Sequence, residues 1–406
     1  MSMSEWKEVI ASDFCTEVTD GTHDSPKPVS VGKYLLTSKH LQEYSLDFAN
    51  AYMISEEDYN KVILRSKVEQ YDILFSMIGT IGTTHRVKIS NVDFAVKNMG
   101  IFKLGGNCIK SKWLYYWLKT RESKEYINSC LSGTTQGYMT LKALRNFPIA
   151  VPDSLTMESI TSILSSFDDK IAVNKKICEN LEAQAQALFK HWFVDFAPFK
   201  DGKFVESELG LIPEGWRVCT LGEICKCELG GTPSRANKSY WGGNIAWINS
   251  GEVNKFRICE ASEFITEDGL NHSATKLLPA KTTVLAITGA TLGQVSLLEI
   301  DSCANQSVVG VKENETIPYT FIYPAIKCNI GKLVNMQTGG AQQHINKDNI
   351  QSLQFIEPPK NIMEEYKLTT LPIYEEIGKL CFENLRLATL RDTLLPKLMS
   401  GEIPLE

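Results

Sequence analysis

The sequence holds no Gly-x-Gly and no Gly-x-x-x-x-Gly-Lys loop, and its single Pro-Pro, Pro358-Pro359, follows Glu357 and precedes Lys360. The first two absences remove the dinucleotide fingerprint and the phosphate loop of ATP-using enzymes. The third removes the Asn/Asp-Pro-Pro-Tyr/Phe motif with which methyltransferases hold a flipped adenine. Neither methyl transfer nor ATP use is visible. Histidine is scarce, six residues without paired spacing, and no metal site is expected. The eleven cysteines are an odd number scattered singly, apart from Cys225 and Cys227. That usage suits structural thiols in a reducing compartment better than a disulfide framework or a zinc knuckle. No run approaches the roughly 18 apolar residues of a membrane span, and the opening Met1-Ser2-Met3-Ser4-Glu5-Trp6 has no basic run leading into an apolar one. The expectation is a cytoplasmic protein.

A net charge of -6 argues at first against nucleic acid, because neutralised phosphates supply most of that affinity. The average hides a split. Residues 1–60 carry 4 Lys+Arg against 11 Asp+Glu, whereas 61–145 carry 14 against 5. One basic face on an acidic chain remains compatible with DNA.

What the sequence does contain is itself, twice. Glu5-Trp6, Phe14-Cys15 and Gly21-Thr22 recur at a constant offset of 210 as Gly215-Trp216, Ile224-Cys225 and Gly231-Thr232. In mid-repeat an apolar run ends in a glycine turn: Ile73-Leu74-Phe75 leads to Thr80-Ile81-Gly82, and Val284-Leu285-Ala286-Ile287 to Thr291-Leu292-Gly293. Both read as strand, turn, strand. A Gly-x-x-Gln loop closes each repeat, at Gly133 to Gln136 and Gly339 to Gln342, an offset of 206. A period this long means a duplicated domain. Gly401-Glu402-Ile403-Pro404 resembles Gly210-Leu211-Ile212-Pro213, which leads into Trp216, so the chain ends are expected close together in a pseudo-twofold ring.

A helical segment follows each repeat. Ile160, Leu164, Phe167, Ile171, Asn174, Cys178, Leu181, Ala185, Leu188 and Trp192 step alternately by four and three, a heptad seam with one polar member. A helix over 157–193 would be about 55 Å long at about 1.5 Å per residue. Ile373, Ile377, Leu380, Asn384, Leu387, Leu394 and Leu398 keep the same steps only if Arg391 takes a seam position. Thr370 before Pro372 reads as this helix's start, and Pro396 as its end or kink. Two such stripes, one per repeat, favour antiparallel packing of the helices on each other, with Asn174 and Asn384 fixing the register. His191-Trp192-Phe193-Val194-Asp195-Phe196 is too aromatic for a solvated linker and reads as core or as a docking surface.

The stretches Phe167-Asp168-Asp169-Lys170-Ile171, Phe189-Lys190-His191-Trp192-Phe193-Val194-Asp195-Phe196 and Gly210-Leu211-Ile212-Pro213-Glu214-Gly215-Trp216 resemble the central region of the specificity subunits of type I restriction-modification enzymes. Gly230-Gly231-Thr232-Pro233-Ser234, Tyr240-Trp241-Gly242-Gly243 and Trp247 to Val253 resemble the opening of their target-recognition domains; Leu394 to Ile403 resembles their closing helix. The resemblance implies an α+β fold with target-recognition domains over 1–152 and 197–359. Spacer helices over 153–196 and 360–406 would separate them. It implies a non-catalytic subunit that reads a two-part site in double-stranded DNA, each domain taking one half. The implied partners are two methylation subunits, which bind S-adenosylmethionine and methylate adenines, and optionally restriction subunits using ATP and Mg.

Base reading needs forked polar groups on rigid elements, with Arg for guanine and Asn or Gln for adenine, while Lys, Thr and amides hold phosphates. In the first repeat the candidates are Thr22, His23, Lys39, His40, Thr83, Thr84, His85, Arg86, Gln136, Tyr138 and Lys142. In the second they are Thr232, Ser234, Arg235, Lys238, Tyr240, Asn249, Ser250, Thr288, Thr291, Gln294, Gln342, Gln343, His344 and Lys347. Gln136 and Gln342 stand out because they recur. Two other readings of the residues stay open: a coiled-coil scaffold that does not read sequence, and a DNA-modifying enzyme with an unrecognised site.

Overall fold

Ile73–Ser76 is a strand of four buried residues, and such a strand needs cover on both faces. In the computed structural model, which describes residues 6–42, 45–131, 137–335 and 344–403, it lies inside a four-stranded sheet. The order is Glu17–Asp20, Met99–Lys103, Ile73–Ser76, Thr84–Arg86, antiparallel throughout. A second sheet runs Tyr52–Ile54, Lys33–Leu36, Ala95–Val96, its last pair parallel, and Lys7–Ile10 pairs with Pro148–Val151. Helices Cys108–Trp117 and Arg121–Leu131 cover the larger sheet, with Trp113, Tyr116, Phe102 and Phe147 fully buried between them. These elements belong to the first of two units, Met1–Ala172 with Arg386–Glu406.

The second unit, Val173–Leu385, repeats this strand order. Its larger sheet runs Lys226–Leu229, Val308–Lys312, Thr283–Ala286, Val295–Leu297; its smaller runs Glu263–Ile265, Trp241–Ile248, Cys303–Ala304; and Arg217–Thr220 pairs with Gln354–Glu357. The expected duplication is therefore present in the hydrogen-bond ladders. Trp241–Ile248, eight residues against four in Lys33–Leu36, opens with Trp241-Gly242-Gly243 of the Tyr240-Trp241-Gly242-Gly243 segment that the first repeat lacks.

Two helices of 40 residues each, Ser154–Phe193 and Lys360–Met399, follow the repeats. Asp153 Oδ1 starts the first by accepting from the Leu155 and Thr156 amides. The second begins at Lys360, directly after Pro358-Pro359, which corrects the expected start at Thr370; it also runs through Pro372 and Pro396 to Met399. A proline without N–H releases the carbonyl four residues earlier. For Pro372 that is the carbonyl of Leu368, a residue 74% exposed, on the face of the helix turned to solvent.

In the first unit Asp168 meets Arg391, and Ile160 and Leu164 share a core with Leu395 and Leu398. In the second, Asn174 meets Asn384, Cys178 meets Ile377 and Ala185 meets Tyr374. Ascending one helix descends the other, so their portions within each unit run antiparallel, as expected. Asn174 is fully buried, its Nδ2 donating to Glu383 Oε2 and Asn384 Oδ1. The buried stripe is wider than a two-position seam. Phe167, Leu181, Leu188, Ile373, Asn384, Leu387 and Leu394 are half-buried, while Asp168, Phe189, Tyr374, Arg391 and Leu395 are fully buried. Each helix packs against both its partner and a globular core, which requires the broader face.

Both expected core signatures have counterparts. In the second unit Phe193, Phe196 and Phe199 ring Trp216, with Ile212 in the same core, so the aromatic segment after Lys190 is core. In the first unit Trp6 shares its core with Leu398, Met399 and Ile403, which places described residues near both ends together. All eleven cysteines are free; burial pushes the Cys225 and Cys227 thiols up to about 12 and about 11. No helix among the described residues is long and apolar enough to cross a membrane.

Candidate nucleic-acid interface

Antiparallel pairing decides which loops become neighbours. In the first unit Asp20 pairs with Gly100, Ser76 with Met99 and Phe75 with Thr84. One end of the sheet therefore emits three segments side by side: Gly21-Thr22-His23, Lys97-Asn98, and Met77 to Thr83. The smaller sheet ends at the same place, because the Lys97 amide donates to the Leu36 carbonyl at 2.8 Å and brings Thr37 to His40 alongside. Tyr138 joins through a bridge to Ile78, and the Met139 amide donates to Met77 O at 2.9 Å. Thr22, His23, Lys39, Thr83 and Tyr138, scattered over more than a hundred positions of chain, share one rim.

The second unit builds the same rim from Gly230-Gly231-Thr232, Asn305-Gln306-Ser307, Thr288 to Gln294, Asn249-Ser250 and His344. Thr288 bridges His344, and the Asn305 amide donates to Ile248 O at 3.0 Å. Gly82 and Gly293, with φ of 89° and 84°, make the tight turns in a region that disfavours other residues. Gly21 and Gly230 are required for a different reason: a Cβ there would strike the carbonyls of Val96 and Ala304, respectively.

Gln136, Gln342 and Gln343, with both Gly-x-x-Gln loops, lie outside the described residues. Three other candidates are corrected, because polarity of type does not reveal burial. His40 is 1% exposed, its Nδ1 accepting from the Thr37 amide and its Nε2 donating to Asn50 O, and burial lowers its pKa. Arg86 points inward to Ser111 Oγ and Cys108 Sγ across the Tyr71 ring; Thr84, on the same strand, is also buried. Asn249, half-buried on the second rim, accepts from the Gly251 amide at 2.8 Å at the start of the turn Ser250–Asn254.

The rest divide by environment. His85 lines a cavity of about 230 Å³ against Phe48, Tyr115 and Asp168, and burial pushes its pKa down to about 4, so it is neutral at pH 7. Both terminal nitrogens of Arg235 are held by Glu263, at 2.6 and 2.7 Å, with the guanidinium 3.6 Å above the Trp241 ring. Tyr240 lies parallel to the His272 ring. Ser234, Lys238 and Gln294 are exposed, and Ser250 and Thr291 half-exposed. Lys142 and Lys347 stand on equivalent short helices, Leu141–Arg145 and Lys347–Gln351, beside the first strand of each larger sheet.

Sequence reasoning passed over Arg65, Lys97, Asn98 and Gln306, which the rims contain. Arg65 Nη2 donates to Asp20 Oδ1 and to the Gly21 carbonyl, and Lys97 Nζ donates to Ser25 Oγ. The usable signal was the pair of polar residues between two apolar strands, Lys97-Asn98 after Ala95-Val96, echoed by Asn305-Gln306 after Cys303-Ala304.

The described geometry is matched by what is known of related chains. The family model described as "Type I restriction modification DNA specificity domain" matches residues 3–183 and 213–367. The MjaIX specificity subunit of Methanocaldococcus jannaschii is 29% identical over 370 residues, covering 89% of this chain and 86% of its own. The HindI specificity subunit of Haemophilus influenzae is 25% identical over 405 residues, covering 84% and 88%. The crystal structure of a type I restriction-modification S subunit from M. genitalium shares the fold, with a TM-score of 0.57 at 15% identity over 97% of this chain and 96% of that one. Two copies of one α+β unit, each followed by a 40-residue helix, and a family match spanning both copies place this chain in the type I restriction-modification DNA specificity family.

Proposed function

We propose that this chain is the DNA-reading subunit of a type I restriction-modification assembly, each unit taking one half of a two-part site in double-stranded DNA. The observation that carries this reading is the rim of polar loops built twice on one strand order. Loops on a rigid sheet present side chains to base edges without disturbing a core. The chain itself is non-catalytic; methyl transfer from S-adenosylmethionine belongs to two methylation subunits, and any ATP- and Mg-dependent cleavage to restriction subunits. It acts in the cytoplasm. The long helices set the gap between the half-sites.

The helices supply the test. A heptad inserted into both, between the Asp168–Arg391 layer and the Asn174–Asn384 layer, adds about 10 Å and turns about 20° short of two full turns. The gap should lengthen by at most about three base pairs at about 3.4 Å each, with both half-site sequences unchanged. Mapping methylated adenines in a host carrying the variant reads both quantities. New half-site sequences with an unaltered gap would reverse the assignment of roles.

A further inference from the structure

The two rims align on their backbone bonds after a one-residue slip, with one extra residue, Ser307, in the second. The constant offset of 210 aligns Thr22 with Thr232. The backbone aligns them otherwise. The Gly21 amide donates to Met99 O and the Thr22 amide to Val96 O; in the second unit the Gly230 amide donates to Val308 O and the Gly231 amide to Ala304 O. Lys97 to Leu36 O is matched by Asn305 to Ile248 O. Thr22 therefore corresponds to Gly231 and His23 to Thr232; counted forward from Lys97 and Asn305, Asn98 corresponds to Gln306.

In this register each unit holds a side-chain amide at the same point of its rim, and each amide is hydrogen-bonded by the residue at the same opposing point. His23 Nδ1 stands 2.9 Å from Asn98 Oδ1, with the ring's other nitrogen 2.9 Å from Asp20 Oδ2. The Thr232 hydroxyl donates to Gln306 Oε1. A φ of 53° favours Asn or Gly at Asn98, but no such backbone demand acts at Gln306. Gln306 is exposed, Asn98 is half-buried, and their chemistry recurs although their length, their partner and their surroundings differ.

Resting on the function proposed above, we infer that Asn98 and Gln306 are specificity-determining residues, each reading one adenine in its half-site. An amide matches adenine's major-groove edge, its oxygen accepting from N6–H and its NH2 donating to N7. A carbonyl oxygen has two acceptor sites and the NH2 two donors, so one bond to His23 or Thr232 leaves a bidentate edge in place. The pin selects which way that edge faces before DNA arrives, which lowers the ordering cost of binding. The competing guanidinium forks are already engaged: Arg235 is closed on Glu263, Arg86 is buried, and Arg65 Nη2 is held by Asp20 and the Gly21 carbonyl. Lys97, next to Asn98, supplies a cation for phosphate rather than base contact.

The test is selection from randomised duplexes by the full chain assembled with its methylation subunits. Gln306→Ala, at an exposed position with little folding cost, should lower the preference for adenine at one position of one half-site roughly 10- to 100-fold and leave the other half-site as it was. Asn98 has a φ of 53°, so Asn98→Gly keeps the backbone, and it should act in the same way on the other half-site alone. Gln306→Glu keeps an acceptor and loses the donor, and should move that position toward cytosine. An unchanged profile in Gln306→Ala, or affinity lost equally over all sequences, overturns the inference while the two-part preference of the unaltered chain stands. A wild-type chain without two-part preference would instead overturn the proposed function.

Discussion

Arg257→Met is expected to destabilise the second unit by about 3–5 kcal/mol, the cost of breaking a buried ion pair from one side. The Arg257 side chain is fully buried, with Nη2 2.7 Å from Glu182 Oε2, Nη1 donating to the Tyr323 hydroxyl and the Phe256 carbonyl, and Nε 3.7 Å from Glu299 Oε1. Burial raises the Glu182 pKa, but Arg257 and Lys327 outweigh it and hold the carboxyl below its usual range. For Glu299 burial wins over Lys281 and Arg257, and its pKa is raised. Methionine fills the volume and leaves both carboxylates short of a counter-charge. The sign of the pH effect follows. In the native protein Glu182 contributes stability above the unfolded carboxyl pKa, about 4.3, and loses it as pH falls through its lower folded value. In the variant the Glu299 value, already raised, loses one of its lowering neighbours and rises further, so stability is lost as pH rises through it, while Glu182, left with Lys327 alone, moves upward. Lowering pH from 7.5 to 5.5 should therefore narrow the gap between variant and native protein. Urea unfolding at the two pH values reads this; a loss below about 1 kcal/mol, or a gap indifferent to pH, would show that the network holds little of the unit together.

The second large effect is expected at Asp168. Its Oδ1 takes Arg391 Nη1 and its Oδ2 accepts from the Tyr116 hydroxyl at 2.7 Å, all three residues buried. Asp168→Ala should cost about 3–5 kcal/mol, because the guanidinium loses its buried carboxylate. Asp168→Leu combined with Arg391→Met should cost less than either single change. The remainder is the Tyr116 hydroxyl left without its acceptor, about 1–3 kcal/mol. A double-mutant cycle by urea unfolding should give a coupling of at least about 3 kcal/mol; simple additivity would mean the pair does not act as one.

The duplication was legible because its anchors are residues with few substitutes. Trp6 and Trp216 each fill a core, and Gly82 and Gly293 each sit at a positive φ. Strand order was not legible, since Glu17–Asp20 pairs with Met99–Lys103 some eighty positions away and no local pattern encodes that choice. Helical periodicity gave both long helices, yet Pro372 hid the true start of the second, because the cost of a proline depends on whether water reaches the released carbonyl. At the rims, glycine turns located the loops correctly, but residue type alone could not separate exposed Lys39 from its buried neighbour His40. Asn98 and Gln306 escaped notice because they differ in type and fall out of step with the sequence offset.

All the rim segments leave from the ends of strands, and none crosses the packed faces of the sheets. Substitutions at such solvent-facing tips usually shift stability by no more than about 0.5 kcal/mol, small beside a marginal total of about 5–15 kcal/mol. The protein can therefore exchange one DNA target for another almost without mutational load. Its recognition is a replaceable edge on a scaffold that never registers the change.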